Sequence, residues 1–180
     1  MKRRDLLRAA GAATVLSLVP RDAEAAWGRI LSGYRVAEGL TPAQRSLVSG
    51  IADTILPRSD TPSATDVGVT EWVDLIVAEY YAEDVRTPFI AGLDAIAAQA
   101  RATHGRAFPE LGVEMQRENV ASLDVPADRR TPEARAYSRL KSLVVYGYFT
   151  SERVQRDVLH SQMFHERFQG PADMPPRRTP

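Results

Sequence analysis

The sequence predicts an all-α fold, a single domain of five to six helices with a long helix 1–helix 2 connection and an extended C-terminal tail. Three observations carry that prediction. Thr-Pro pairs at 41–42, 87–88 and 131–132 each offer a capping hydroxyl followed by a proline at the first helical position, where the missing N–H costs nothing. The apolar residues that follow recur at three- and four-residue spacing, which is a helical period. No convincing hairpin turn joins alternating stretches, and no internal repeat is present.

Taken in order, residues 26–39 have mixed character and are expected to form an arm or short strand ahead of the domain. The first helix opens at Thr41-Pro42, with Gln44 completing a capping box. Leu47, Val48, Ile51, Ile55 and Leu56 give it one apolar face, and Pro57 ends it. The second helix spans roughly 70–82, with Trp72, Val73, Ile76, Val77 and Tyr80 on one side. Between the two lies RSDTPSATDVG, a polar, turn-rich connection longer than the usual helix–helix link, and long ordered connections are functional more often than short ones.

A third helix is expected to start at Thr87-Pro88 and run out at His104-Gly105, striped by Phe89, Leu93, Ile96, Ala97 and Ala100. Residues 109–124 make a weaker helix, with Leu111, Met115, Val120 and Leu123 facing inward. Thr131-Pro132 starts the most apolar helix, through Tyr137, Leu140, Val144, Val145, Tyr148 and Phe149. The run Leu143-Val144-Val145 suits a strand by composition, but its flanking start signal and spacing favour helix. Gly147 inside this helix costs about 1 kcal/mol against alanine, so it marks either close packing or a break. Thr150-Ser151-Glu152 caps a last helix toward His160.

Composition removes many functions. Lys and Arg balance Asp and Glu at 23 each, so there is no cationic footprint for nucleic acid. The chain has no cysteine, which excludes disulfides, thiolate nucleophiles, cysteine-ligated zinc, iron–sulfur clusters and covalent haem attachment through C-x-x-C-H. The N-terminus reads as a leader. Lys2, Arg3, Arg4 and Arg8 precede an apolar run at 9–19 that suits a signal segment and is too short to span a bilayer as a helix. Arg3-Arg4-Asp5-Leu6-Leu7-Arg8 resembles a twin-arginine export motif, and Ala23-Glu24-Ala25 supplies an A-x-A cleavage site with a mature start near Ala26. Removing residues 1–25 takes five bases and three acids from the 23 of each, leaving a net charge near −2. The expected organisation is leader 1–25, arm 26–39, helical domain 40–170 and flexible tail 171–180.

No G-x-G-x-x-G after a strand, Walker loop, H-E-x-x-H, G-x-S-x-G or EF-hand loop is present. His160 and His165, with Glu166, have poor spacing for metal ligation from one helix face. Asp53, Asp60 and Asp66 offer three carboxylates for acid–base work, yet no nucleophile or histidine lies near them in sequence; Asp53 bonding to its neighbourhood at the helix end and Asp60 and Asp66 making Asx-type turns suit them better. Trp72 suits either the core or a partner contact, and Phe164 and Phe168 in the tail have no helix to bury them.

Four features together resemble the gluconate 2-dehydrogenase subunit 3 family over roughly residues 40–170. They are Leu40-Thr41 with Gln44; IADTILPRSDTPSATDVGV at 51–69; Leu140-Lys141 followed by Tyr146-Gly147-Tyr148-Phe149-Thr150-Ser151-Glu152; and the twin-arginine leader. The sequence departs from the family pattern at Ser59, usually Thr, at Ser63, usually Gly, and in the tail HERFQGPADMP. The resemblance implies a non-catalytic small subunit with no cofactor of its own. FAD would sit in a large glucose–methanol–choline-type flavoprotein subunit that acts on a sugar or sugar acid, and haem c in a multihaem cytochrome subunit. It also implies a periplasmic complex associated with the inner membrane, whose folded flavoprotein crosses the twin-arginine translocase on this chain's leader. The partner face is then expected at Asp60, Thr61, Pro62, Asp66, Trp72, Tyr146, Tyr148, Phe149, Phe164 and Phe168. A free-standing periplasmic enzyme or binding protein using Asp53, Asp60 and Asp66 is the competing expectation, and retention of the leader as a membrane anchor is a third.

Overall fold

The computed structural model describes residues 23–31 and 39–160, and every described element is helical or a turn. In chain order these are α1 (Ala23–Leu31), α2 (Pro42–Ile55), α3 (Val69–Leu75), α4 (Glu83–His104), α5 (Val113–Asp124), α6 (Pro132–Thr150) and α7 (Glu152–Asp157). A π-helical turn at Ile76–Tyr80 extends α3, and single 3-10 turns lie at Thr65–Val67 and Phe108–Glu110. The all-α expectation holds.

The α2 start forms as its residues dictate. Thr41 Oγ1 accepts from the Gln44 N–H, Gln44 Oε1 accepts from the Thr41 N–H, and Pro42 occupies the first turn. Thr131-Pro132 does the same for α6. Thr87-Pro88 does not. The helix expected there, α4, begins five residues earlier, at Glu83, and Pro88 lies inside it. Glu83 and Asp84 place acid at the positive end of that helix, and Thr87 spends its hydroxyl on Glu83 instead of capping. Pro88 is tolerated because it is exposed and within two turns of the start, where the one carbonyl it leaves unpaired belongs to exposed Asp84.

α3 is the centre of the molecule. Val69, Trp72, Val73 and Leu75, with Ile76 and Val77 of the π turn, are fully buried and only Glu71 of α3 is exposed, so the element is enclosed over most of its circumference and not merely striped. α2, α6 and α1 surround it. The expected arm or strand at 26–39 is instead helical through Leu31: Ala26 and Trp27 are buried, and Trp27 stacks on Trp72 with ring centroids 6.2 Å apart while its Nε1 donates to Thr150 Oγ1 at 3.0 Å. The rest of that segment lies outside the described residues. On the other flank α4 packs along α6, where Gly92 meets Ala136 and the Pro132 carbonyl closely. In α5, Val120 and Leu123 are inward as expected. Met115 is not, being 39% exposed, because the buried apolar weight ahead of α5 is carried by Phe108 and Leu111.

Candidate partner interface

The connection between α2 and α3 is a fixed shape. Leu56 caps α2, and its carbonyl accepts from the Ala64 N–H at 3.0 Å, folding the intervening residues back on themselves. Ala64 is wholly buried, and its own carbonyl accepts from the Val69 N–H at 3.2 Å. Asp53, near the end of α2, closes the loop from below. Its Oδ1 accepts from the Thr65 N–H at 2.9 Å and its Oδ2 from Thr65 Oγ1 at 2.7 Å. Asp66 Oδ2 accepts from the Ser63 N–H at 2.8 Å while Ser63 Oγ accepts from the Asp66 N–H, a reciprocal capping-box pair in place of the expected turn closure, and Arg58 pairs with the other Asp66 oxygen. Gly68 at φ +78° supplies the left-handed turn from which α3 departs.

Two contacts bind this loop to the far end of the sequence. Tyr148 Oη donates to the Pro62 carbonyl at 2.9 Å, and Arg153 Nη1 donates to the Asp66 carbonyl at 3.3 Å. Trp72, just beyond the loop, lies against Gly147 so closely that a Cβ there would stand 2.8 Å from the indole. Gly147 therefore marks close packing and no break, since α6 runs through it to Thr150. The two most specific sequence stretches, 51–69 and 146–152, are thus one structural unit. The departures from the family pattern sit within it without loss. Ser63 Oγ accepts from the Asp66 N–H at 3.3 Å, and Ser59 Oγ donates to Asp60 Oδ1 at 2.7 Å.

The expected interface residues divide accordingly. Asp60 is exposed, and Thr61, Pro62, Asp66, Tyr146 and Phe149 are half-buried at the same end of the molecule. Trp72 and Tyr148 are buried in the core, so neither ring is offered to a partner. Their role is to hold the loop and the α6–α7 corner in register. Ala23 and Ala25 fall in the backbone of α1, whereas Arg3, Arg4, His165, Phe164 and Phe168 lie outside the described residues. Sequence reasoning missed Ala64, Arg58 and Arg153, all of which fix the loop. Ala64 carries no local signal, but the two arginines were legible as cations beside Asp66 and after the Ser151 cap.

Electrostatics argue against acid–base chemistry here. The Ser63 N–H holds the Asp66 carboxyl below its usual 3.8; desolvation opposes it, and the Ser63 hydroxyl and the Arg58 and Arg153 charges add to the lowering. Both Asp53 oxygens are engaged by Thr65. No group of three or more His, Asp or Glu side chains is placed to hold a metal among the described residues. A depressed carboxyl stabilises the fold above its unfolded pKa and loses that contribution as pH falls through the folded value. The Ser63 amide resonance should therefore titrate with a midpoint below 3.8, and Asp66→Ala should remove that transition in an NMR pH series.

A polar loop tied down by hydrogen bonds over a buried aromatic core is the fixed feature at this end of the helical domain. The chain belongs to the gluconate 2-dehydrogenase subunit 3 family, whose sequence profile matches residues 42–165. That description is of one subunit of a multisubunit dehydrogenase, which calls for partner subunits. No curated protein and no solved structure matches the chain.

Proposed function

We propose that this chain is the non-catalytic small subunit of an FAD-dependent, glucose–methanol–choline-type sugar or sugar-acid dehydrogenase, serving as export escort and structural partner of the flavoprotein subunit. The observation that carries the reading is the docked loop. Its outer edge at Arg58, Asp60, Thr61 and Pro62 is held by hydrogen bonds from α2 and α6, so binding it orders little that is not already ordered. Tyr146 and Phe149 add half-buried aromatic surface beside it, the residue type that anchors interfaces. The Arg3-Arg4 leader supports the escort role, because a route for folded cargo on a chain without a cofactor motif implies cargo on another chain.

The test is export in trans. When Arg3→Lys and Arg4→Lys are combined, the flavoprotein should remain in the cytoplasm, and dye-linked dehydrogenase activity in the periplasmic and membrane fractions should fall to background. A flavoprotein still exported and active would refute the escort role. Separately, a colourless, partner-free eluate from a pull-down of the wild-type chain would refute the partnership.

A further inference from the structure

At the end of α6 opposite the docked loop, a groove of about 700 Å³ opens between the start of α4, the end of α5, the 125–131 connection and the first turns of α6. Arg129, Arg130, Arg135 and Arg139 all line it, and among the described residues none of their side chains has a carboxylate partner. Elsewhere among the described residues Arg45, Arg58, Arg86 and Arg117 pair with acids while Arg101 and Arg106 do not, so what sets the groove apart is that four such arginines share one lining. Lys141 is a fifth cation in the lining, and the single lining carboxylate, Asp124, pairs with it. The other nearby acids are Glu133 on α6 and Asp128, whose Oδ1 accepts from the Arg130 backbone N–H.

The floor is apolar, with Pro88, Phe89, Leu123 and Pro126, and Tyr137 stands at its base. Tyr137 is 2% exposed, and its hydroxyl lies beside the Asp124 carboxylate without a well-aligned hydrogen bond to it. Burial first, then the charge and nearness of Asp124, pushes the phenol above its ordinary range, so it stays protonated at any physiological pH. The groove thus combines guanidinium forks on the rim, an apolar wall and a phenol hydroxyl at the base.

We propose that this groove binds a phosphate monoester carried on an apolar body, with the Arg129, Arg130, Arg135 and Arg139 guanidiniums surrounding the phosphate and the Tyr137 hydroxyl donating to one of its oxygens. Guanidinium matches phosphate bidentately, and a group carrying up to two negative charges suits an excess of four cations better than a lone carboxylate does. The volume is that of a small-ligand site and falls short of an extended macromolecular face. The site is independent of the flavoprotein partnership.

The test is calorimetric titration of the full chain, with its partner subunit if they co-purify, at fixed ionic strength. The probes are lysophosphatidic acid below its micellar concentration, glycerol 3-phosphate, and lysophosphatidylcholine as the zwitterionic phosphodiester control of no net headgroup charge. Binding of lysophosphatidic acid but not lysophosphatidylcholine is expected. The double variant Arg135→Glu with Arg139→Glu should weaken it by at least about tenfold. Tyr137→Phe should weaken it several-fold, and Arg101→Glu, an exposed change outside the groove, should leave it unchanged. All of these variants are expected to fold, which matched melting curves would check. Binding that needs the acyl chain supports the proposal, whereas equal affinity for glycerol 3-phosphate would overturn the apolar body and leave a phosphate site alone. The proposal is overturned if lysophosphatidic acid does not bind, if the two lysolipids bind alike, or if the groove variants behave like Arg101→Glu.

Discussion

Replacing Trp72 with alanine should destabilise the domain by about 3–5 kcal/mol, the range for emptying a fully buried tryptophan site. Trp72 has no exposed surface. It stacks on Trp27, meets Tyr146 with centroids 5.9 Å apart, and fills the space left by Gly147. Three elements, α1, α3 and α6, therefore converge on one ring, and a truncation cannot be repaired by one neighbour relaxing. The consequence should reach the surface, because the α6 corner that carries Tyr148 to the Pro62 carbonyl is seated on the same indole. Denaturant unfolding should show the loss directly, and flavoprotein capture should fall with it. Trp72→Phe should be much milder. The phenyl ring keeps most of the packing and removes an indole N–H that is buried without a hydrogen-bond partner, so one cost is deleted with the bulk. If Trp72→Ala unfolded no more easily than wild type, the central role of this ring would be wrong.

Much of this architecture was legible from local chemistry. The capping box at Thr41 and Gln44 and the Thr131-Pro132 start read correctly because every participating group lies within four residues. Thr87-Pro88 misled for the same reason. A proline preceded by threonine fits the first position of a helix and also a site one turn inside it, and only the acids at 83–84 distinguish the two. The helical state of 26–31 went unread because its stabilisation is tertiary: Trp27 is ordered by Trp72 and Thr150, 123 residues away in the second case. The loop shows both limits. Asp53, Asp60 and Asp66 were visible as locally bonding carboxylates, whereas the contact from Tyr148 to Pro62 spans 86 residues and no periodicity encodes it. Recognising 51–69 and 146–152 as two signatures of one family named both halves of the unit without showing that they touch. The basic groove was missed although DRRTPEARAYSRLK carries four of its cations in plain view before Lys141. Neutral overall charge concealed a local excess that only appears when partners are assigned.

The second large effect is expected far from the loop, at Gly92. A Cβ on this residue would stand 2.4 Å from the Ala136 Cβ and 2.6 Å from the Pro132 carbonyl oxygen. Neither obstacle is the free end of a side chain, so α4 and α6 must separate along the longest helix–helix contact in the molecule. Overpacking of this kind costs about 1–3 kcal/mol, and a collision with backbone places Gly92→Ala at the upper end. Alanine's better helix propensity returns only about 1 kcal/mol at an interior position. A fall in melting temperature with no change in the Ser63 amide titration is the expected pair of results, because the loop is tied to the other end of α6. The companion Ala136→Gly, made in the Gly92→Ala background, should recover part of the loss by removing one of the two collisions. Pro132 would still block the rest. If instead Gly92→Ala were stabilising, the close approach of α4 to α6 would be wrong, and the groove that these two helices wall would have a different shape.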